Sequence, residues 1–108
     1  MPQLKIRGIE KEKIVSVSTT LVNELSELVS CSREDFTIEL IESTYIFDGQ
    51  EVNPYPFIEV AWFDRGQEVQ DKVAEIITNK FRDQGIQDID LMFILLEENK
   101  YYYNGKHF

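Results

Sequence analysis

The chain begins Met1-Pro2 and passes at once into Gln3-Leu4-Lys5-Ile6-Arg7, where polar and apolar residues alternate. A methionine followed by a small residue is commonly trimmed after synthesis. Trimming here would turn the Pro2 nitrogen from a tertiary amide into a secondary amine. An amine at the edge of a folded sheet can act as a general base or a nucleophile once its surroundings lower its pKa. The ordinary α-amino value is about 7.7 to 8.0, and a secondary amine is more basic still. A dry apolar setting or a nearby cation such as Arg33 or Lys5 pushes it down toward neutrality. The formal net charge of −9 pushes the other way, weakly, because solvent screens distant charges. Without trimming, Pro2 has no basicity and simply opens a strand where no ladder donor is needed.

The remaining reactive side chains offer less. His107 is the sole histidine and stands one residue from the last, so it reads as a surface tail and no histidine metal site can form. Cys31 is the sole cysteine. It has no histidine beside it in sequence and reads as a helix terminator, and no intrachain disulfide is available to it. Glu42, Glu97 and Glu98 read as solvated strand ends, and Trp62 as a core or interface anchor. No glycine loop of the phosphate-cradling type is present, and no cofactor is expected.

A length of 108 residues with 43% hydrophobic content predicts one domain, 1–108, with a modest core. No run approaches the ~18 to 20 apolar residues that a membrane-spanning helix needs. Lys5, Arg7 and Glu10 interrupt any secretory apolar region, and a single cysteine fits a reducing cytoplasm. The acidic balance argues against nucleic acid and against an anionic membrane as partners. It leaves room for an anionic small molecule, because a few cations can dominate one pocket.

The elements that would position Pro2 follow from periodicity. Residues 3–8 alternate as a half-buried strand. Ile14, Val17, Leu21, Leu25 and Leu28 recur at helical spacing up to the break at Ser30-Cys31-Ser32, with Ser32 capping a short turn through Asp35. Phe36–Ile41 reads as a second strand. Phe57–Trp62 is a third, and Asp64 with Gln67 resembles a capping box opening a helix on Val69, Val73, Ile76, Ile77 and Phe81. Gly85 is placed to end that helix, and Leu91–Leu96 reads as a strand buried on both faces. A shift of about 54 positions lays Pro2, Leu4 and Ile6 over Pro56, Ile58 and Val60.

These repeats, about 2–44 and 55–98, predict an α+β fold. Two βαβ units form a four-stranded mixed sheet with both helices on one face. Thr44-Tyr45-Ile46 reads as a short extra strand before the turn Phe47-Asp48-Gly49-Gln50, and Asn53–Pro56 as a rigid lead into the third strand. Tyr101–Tyr103 is strand-like, followed by the turn signal Asn104-Gly105. With Leu4, Ile6, Ile58, Val60 and Trp62 under helices, alternation puts Lys5, Arg7, Glu39, Glu59, Met92 and Ile94 on the open face. Lys5 and Arg7 would pair there with Glu39 and Glu59. A face of that kind, with a Tyr-rich strand to spare, favours a symmetric oligomer.

The Met1-Pro2 start, the strand Leu4-Lys5-Ile6, the doubled βαβ unit and the Phe47-Asp48-Gly49 turn together resemble the tautomerase superfamily. That group contains 4-oxalocrotonate tautomerase and macrophage migration inhibitory factor. The segments MPQLKIRGIE, EVAWFDR and YYYNGKHF are most similar to a bacterial-type branch of it, and the resemblance covers essentially the whole chain. It implies a homotrimer with sheets around a central channel, and proton transfer on a small keto-enol carboxylate with Pro2 as base. It implies a substrate-binding cation near the end of the first helix, where Arg33 stands beside Ser32, with Lys5 as a second cation and Tyr103 as an aromatic wall. The family's early-helix arginine is replaced by Glu12, and its C-terminal Tyr and Asn fall near Asp90 and Met92. Two other readings compete: a non-catalytic trimer serving binding or structure, and a dimeric ferredoxin-like regulatory module.

Overall fold

The computed structural model describes residues 2–108. Strand β1 (Gln3–Arg7) is followed by helix α1 (Lys11–Val29), a short 3₁₀ turn and β2 (Thr37–Leu40). A hairpin of β3 (Tyr45–Phe47) and β4 (Gln50–Val52) leads to β5 (Phe57–Phe63), α2 (Gln67–Arg82) and β6 (Asp90–Leu96). A second hairpin, β7 (Tyr102–Tyr103) and β8 (Lys106–His107), ends the chain.

The main sheet has the order β2-β1-β5-β6. Its two outer pairings are parallel and the central β1·β5 pairing is antiparallel. Two βαβ units thus meet back to back, with each crossover helix on the same side, as the repeat predicts. The repeat extends to single hydrogen bonds. Thr37 N–H donates to the Pro2 carbonyl and Asp90 N–H to the Pro56 carbonyl, both at 3.1 Å. The proline that opens each unit is thereby fixed to the start of that unit's second strand.

The core forms where the alternating strand residues meet the helix stripes. Leu4 and Ile6 of β1 and Ile58, Val60 and Trp62 of β5 pack against Ile14, Val17, Leu21 and Leu25 of α1 and Val73, Ile77 and Phe81 of α2. On the open face, Lys5 lies in register with Glu39 on one side and Glu59 on the other. Arg7 reaches Glu59 at 3.5 Å and stacks over Phe57 at 4.6 Å.

Several local expectations are corrected. Asp64 does not cap α2. Its Oδ1 accepts from Gly66 N–H at 2.9 Å, and Gly66, at φ +86°, is the residue that precedes the helix. Gln67 instead donates to Asp71 at 2.8 Å. Ser32 stands at the start of the 3₁₀ turn, yet its hydroxyl donates to the Glu34 carboxylate and accepts from no backbone N–H of the turn. Strand β6 is not buried on both faces. It is an edge strand of a sheet covered on one side only, which leaves Met92, Ile94 and Leu95 exposed. The turn at Asp48-Gly49 has positive φ at both residues, the geometry that closes a two-residue hairpin, and so Gln50–Val52 becomes a strand that periodicity missed.

Tyr55 lies on the lead into β5, where its hydroxyl donates to Asp90 Oδ1 at 3.4 Å. Desolvation by its surroundings, and then the charges of Asp90 and Asp88, hold the phenol above its ordinary value of 10.0. A raised folded-state pKa gives a contribution that is complete below the unfolded value and is lost as pH rises through the folded one. In an ultraviolet difference titration, Tyr55→Phe should therefore remove a tyrosinate that forms above pH 10.0. Loss of one that forms below pH 10.0 would contradict the assignment.

Candidate active site

Because Gln3 faces Thr37 on one side and Ala61 on the other, Pro2 falls between Phe36 and Trp62. Its ring shares the parity of Leu4 and so turns toward the helices, where it is less than 2% exposed. Pro2 lines one crevice with Leu4, Val60 and Trp62 of the sheet, Leu25 and Val29 of α1, Val73 of α2, and Phe36. The lining is wholly apolar in its exposed surface, and the gap between these side chains is too narrow for a water molecule.

The local sequence explains the crevice. Helix α1 stops because Ser30 takes a left-handed conformation at φ 55°, a position where glycine is usual, and Cys31 N–H then returns to the Ser26 carbonyl at 3.2 Å. That reversal brings Cys31 back toward the end of β5. There the Asp64–Gly66 turn holds Arg65 so that its guanidinium folds onto its own strand. Arg65 Nη1 donates to the Phe63 carbonyl and Nη2 to Cys31 Sγ, each at 2.9 Å. The same group lies 5.2 Å from the centroid of the Trp62 ring. Neither acceptor is a carboxylate, and among the described residues no carboxylate pairs with Arg65.

Trp62 itself is 1% exposed and tilts against Phe93 at 5.0 Å. Its indole Nε1 is buried and has no hydrogen-bond partner among the described residues. A buried donor left unpaired costs about 1 to 3 kcal/mol, because indole N–H groups usually find an acceptor when they leave water. On the other side of the sheet, Gln3 Nε2 donates to the Tyr101 hydroxyl at 3.2 Å. Tyr101 packs with Phe63 at 5.6 Å and with Phe108 at 5.1 Å, so an aromatic cluster backs the same end of the sheet.

The structure places the four residues expected from sequence in four different settings. Pro2 is in the crevice. Arg33 is exposed in the 3₁₀ turn, beside Ser18, Thr19 and Val22 on the outer flank of α1. Lys5 is on the opposite face of the sheet from the crevice, between two carboxylates. Tyr103 is 64% exposed in the terminal hairpin. Within one protomer, then, neither Arg33, Lys5 nor Tyr103 lines the Pro2 crevice. The cation that lies over a side chain of that crevice, the Trp62 ring, is Arg65, which sequence reasoning passed over. The available signal was topological: an antiparallel β1·β5 pairing puts the residues that follow Trp62 at the end of the sheet where β1 begins.

The family profile described as "Domain of unknown function (DUF1904)" matches residues 1–107. Among solved structures, a DUF1904 domain from Sebaldella termitidis is similar at 40% identity and a TM-score of 0.92, covering 100% of both chains. A protein of unknown function from Vibrio cholerae is similar at 41% identity and a TM-score of 0.88, covering 99% of this chain and 87% of that one. A macrophage migration inhibitory factor-like protein from Entamoeba histolytica shares the fold at 19% identity and a TM-score of 0.74, over 99% of this chain and 98% of that one. A comparison with curated proteins found no match. With a profile that spans nearly its whole length, the chain belongs to the DUF1904 family, and it has the fold of the macrophage migration inhibitory factor and tautomerase proteins.

Proposed function

We propose that this chain, once Met1 is removed, transfers protons between carbon and oxygen of a small keto-enol carboxylate, with the Pro2 nitrogen as base. The observation that carries the reading is the setting of Pro2: a dry apolar crevice walled by Trp62, whose ring lies under a guanidinium that no carboxylate pairs with among the described residues. Both features favour the uncharged amine, burial by penalising the ammonium form and Arg65 by repelling it. The same guanidinium offers a bidentate seat for a substrate carboxylate, which would replace the Phe63 carbonyl and Cys31 as its partners. We therefore assign the anchoring cation to Arg65 in preference to Arg33 or Lys5.

Arg65→Ala should raise KM for a carboxylated enol at least tenfold with a smaller change in kcat, since a charge-assisted hydrogen bond is worth roughly 1.5 to 3 kcal/mol. Steady-state kinetics beside Arg33→Ala and Lys5→Ala would check this. An unchanged KM for Arg65→Ala with a raised one for Arg33→Ala would return the role to the 3₁₀ turn.

A second reading, a non-catalytic trimer serving binding or structure, draws on the tightness of the crevice. Both readings share an assembly. The open sheet face shows Met92 and Ile94, and the β3–β4 hairpin shows Ile46 and Phe47, each 74% exposed. Apolar side chains displayed on both surfaces favour burial against further copies of the chain. We propose a homotrimer, for which sedimentation equilibrium should give three times the 12.7 kDa chain mass. A monomer or dimer mass would contradict it.

A further inference from the structure

Building on the assignment of Pro2 as base, we propose that the indole N–H of Trp62 is the donor that receives the substrate's keto oxygen and stabilises the enolate formed there. Three observations converge. Trp62 is the cross-strand neighbour of Pro2, so its side chain and the base share one crevice. Its Nε1 is a buried donor with no acceptor among the described residues. Its ring lies beneath the guanidinium of Arg65, the cation assigned to the carboxylate.

A carboxylate and a keto group on adjacent carbons would present their oxygens to the two donors together. In the step itself, the C–H proton moves to the Pro2 nitrogen, the C–H electron pair forms the C=C bond, and the carbonyl π pair moves to oxygen. The charge thus appears on the atom that Trp62 addresses, and an N–H already fixed in a water-free site stabilises it without reorganisation. Arg65 must leave Cys31 and Phe63 to reach the carboxylate, and that departure opens the face of the Trp62 ring over which it lies. The orphaned donor has a use only when ligand is present, which accounts for its cost in the free protein.

Trp62 is the only tryptophan, so ¹⁵N-labelled protein gives a single indole N–H resonance. On titration with 2-oxobutanoate that resonance should move downfield, whereas butanoate, which lacks the keto oxygen, should move the Arg65 guanidinium signal alone. If both acids move Arg65 and neither moves the indole, the role of Trp62 is overturned while the Pro2 and Arg65 reading stands. If neither acid moves either signal, both fail.

A second measurement needs no ligand. Replacing Trp62 with β-(3-benzothienyl)alanine substitutes sulfur for the N–H within nearly the same shape. Thermal stability should be equal or higher, because no internal bond is lost, and affinity for 2-oxobutanoate should fall about tenfold. A lower Tm would show that the N–H is paired within the protein and would overturn the proposal.

Discussion

Protein that retains a residue ahead of Pro2 is expected to turn over an enol acid about 10²- to 10⁴-fold more slowly than protein whose first residue is Pro2. The comparison isolates the nitrogen. In the blocked form the atom is an amide without basicity, while the Pro2 ring, its neighbours Phe36 and Trp62 and the Thr37 hydrogen bond to its carbonyl are the same. Tm should therefore hold steady while the rate falls. Pro2→Ala gives a different signature, because a primary amine remains but the buried ring is gone. That variant should keep part of the rate and lose stability, since the crevice is left underfilled. Equal rates for blocked and unblocked protein would remove the nitrogen from the mechanism.

Gly8→Ala is expected to be the most damaging small substitution, costing about 3 kcal/mol or more. Gly8 follows β1 at φ +80°, and a Cβ built there would sit 2.2 Å from the Tyr55 carbonyl oxygen and 2.5 Å from its carbon. Both neighbours are backbone, so neither can swing aside as a side chain would. The strain of a left-handed conformation for a residue with a Cβ adds about 1 to 2 kcal/mol. Relief requires moving the Tyr55–Pro56 segment, and the Tyr55 carbonyl also accepts from the Tyr45 hydroxyl at 2.9 Å. That shift would disturb the register of β1 with β5, the pairing that sets Trp62 beside Pro2. Denaturant unfolding should show a lower midpoint with little change in slope. An unfolding free energy within about 0.5 kcal/mol of the parent would mean that the close approach is not rigid. By contrast, Gly49, Gly66, Gly85 and Gly105 have open space at the same position, so alanine there meets only the cost of its backbone angle.

How much was legible in the sequence depends on the range of the interaction. The two βαβ units were readable because burial on one face imposes period 2 on strands and 3.6 on helices. Leu4 and Ile6, and Val73, Ile77 and Phe81, obey those periods closely. The placement of Lys5 on the open face, against Glu39 and Glu59, follows from the same alternation. It conflicts with a role for Lys5 beside Pro2 in the same protomer, and strand parity alone contains that conflict.

Other features lay beyond periodicity. Asp64 and Gln67 have the spacing of a capping box, but Gly66 at positive φ gave the Asp64 carboxylate a nearer N–H to accept from. Leu91–Leu96 is as apolar as a central strand, yet its position at the sheet edge depends on strand order, which composition does not encode. Arg65 was missed because one of its partners is far off in sequence. Cys31 lies 34 residues away and reaches it only through the left-handed turn at Ser30. The unpaired indole of Trp62 is equally invisible in sequence, since an orphaned donor is defined by what fails to surround it.

The direct test is titration of the Pro2 nitrogen by ¹⁵N NMR in protein whose first residue is Pro2. The crevice and the Arg65 charge predict a midpoint near or below neutrality, well under the ordinary value for an α-amino group of about 7.7 to 8.0. A nitrogen that stays cationic above about pH 9, as a solvated secondary amine would, contradicts the account.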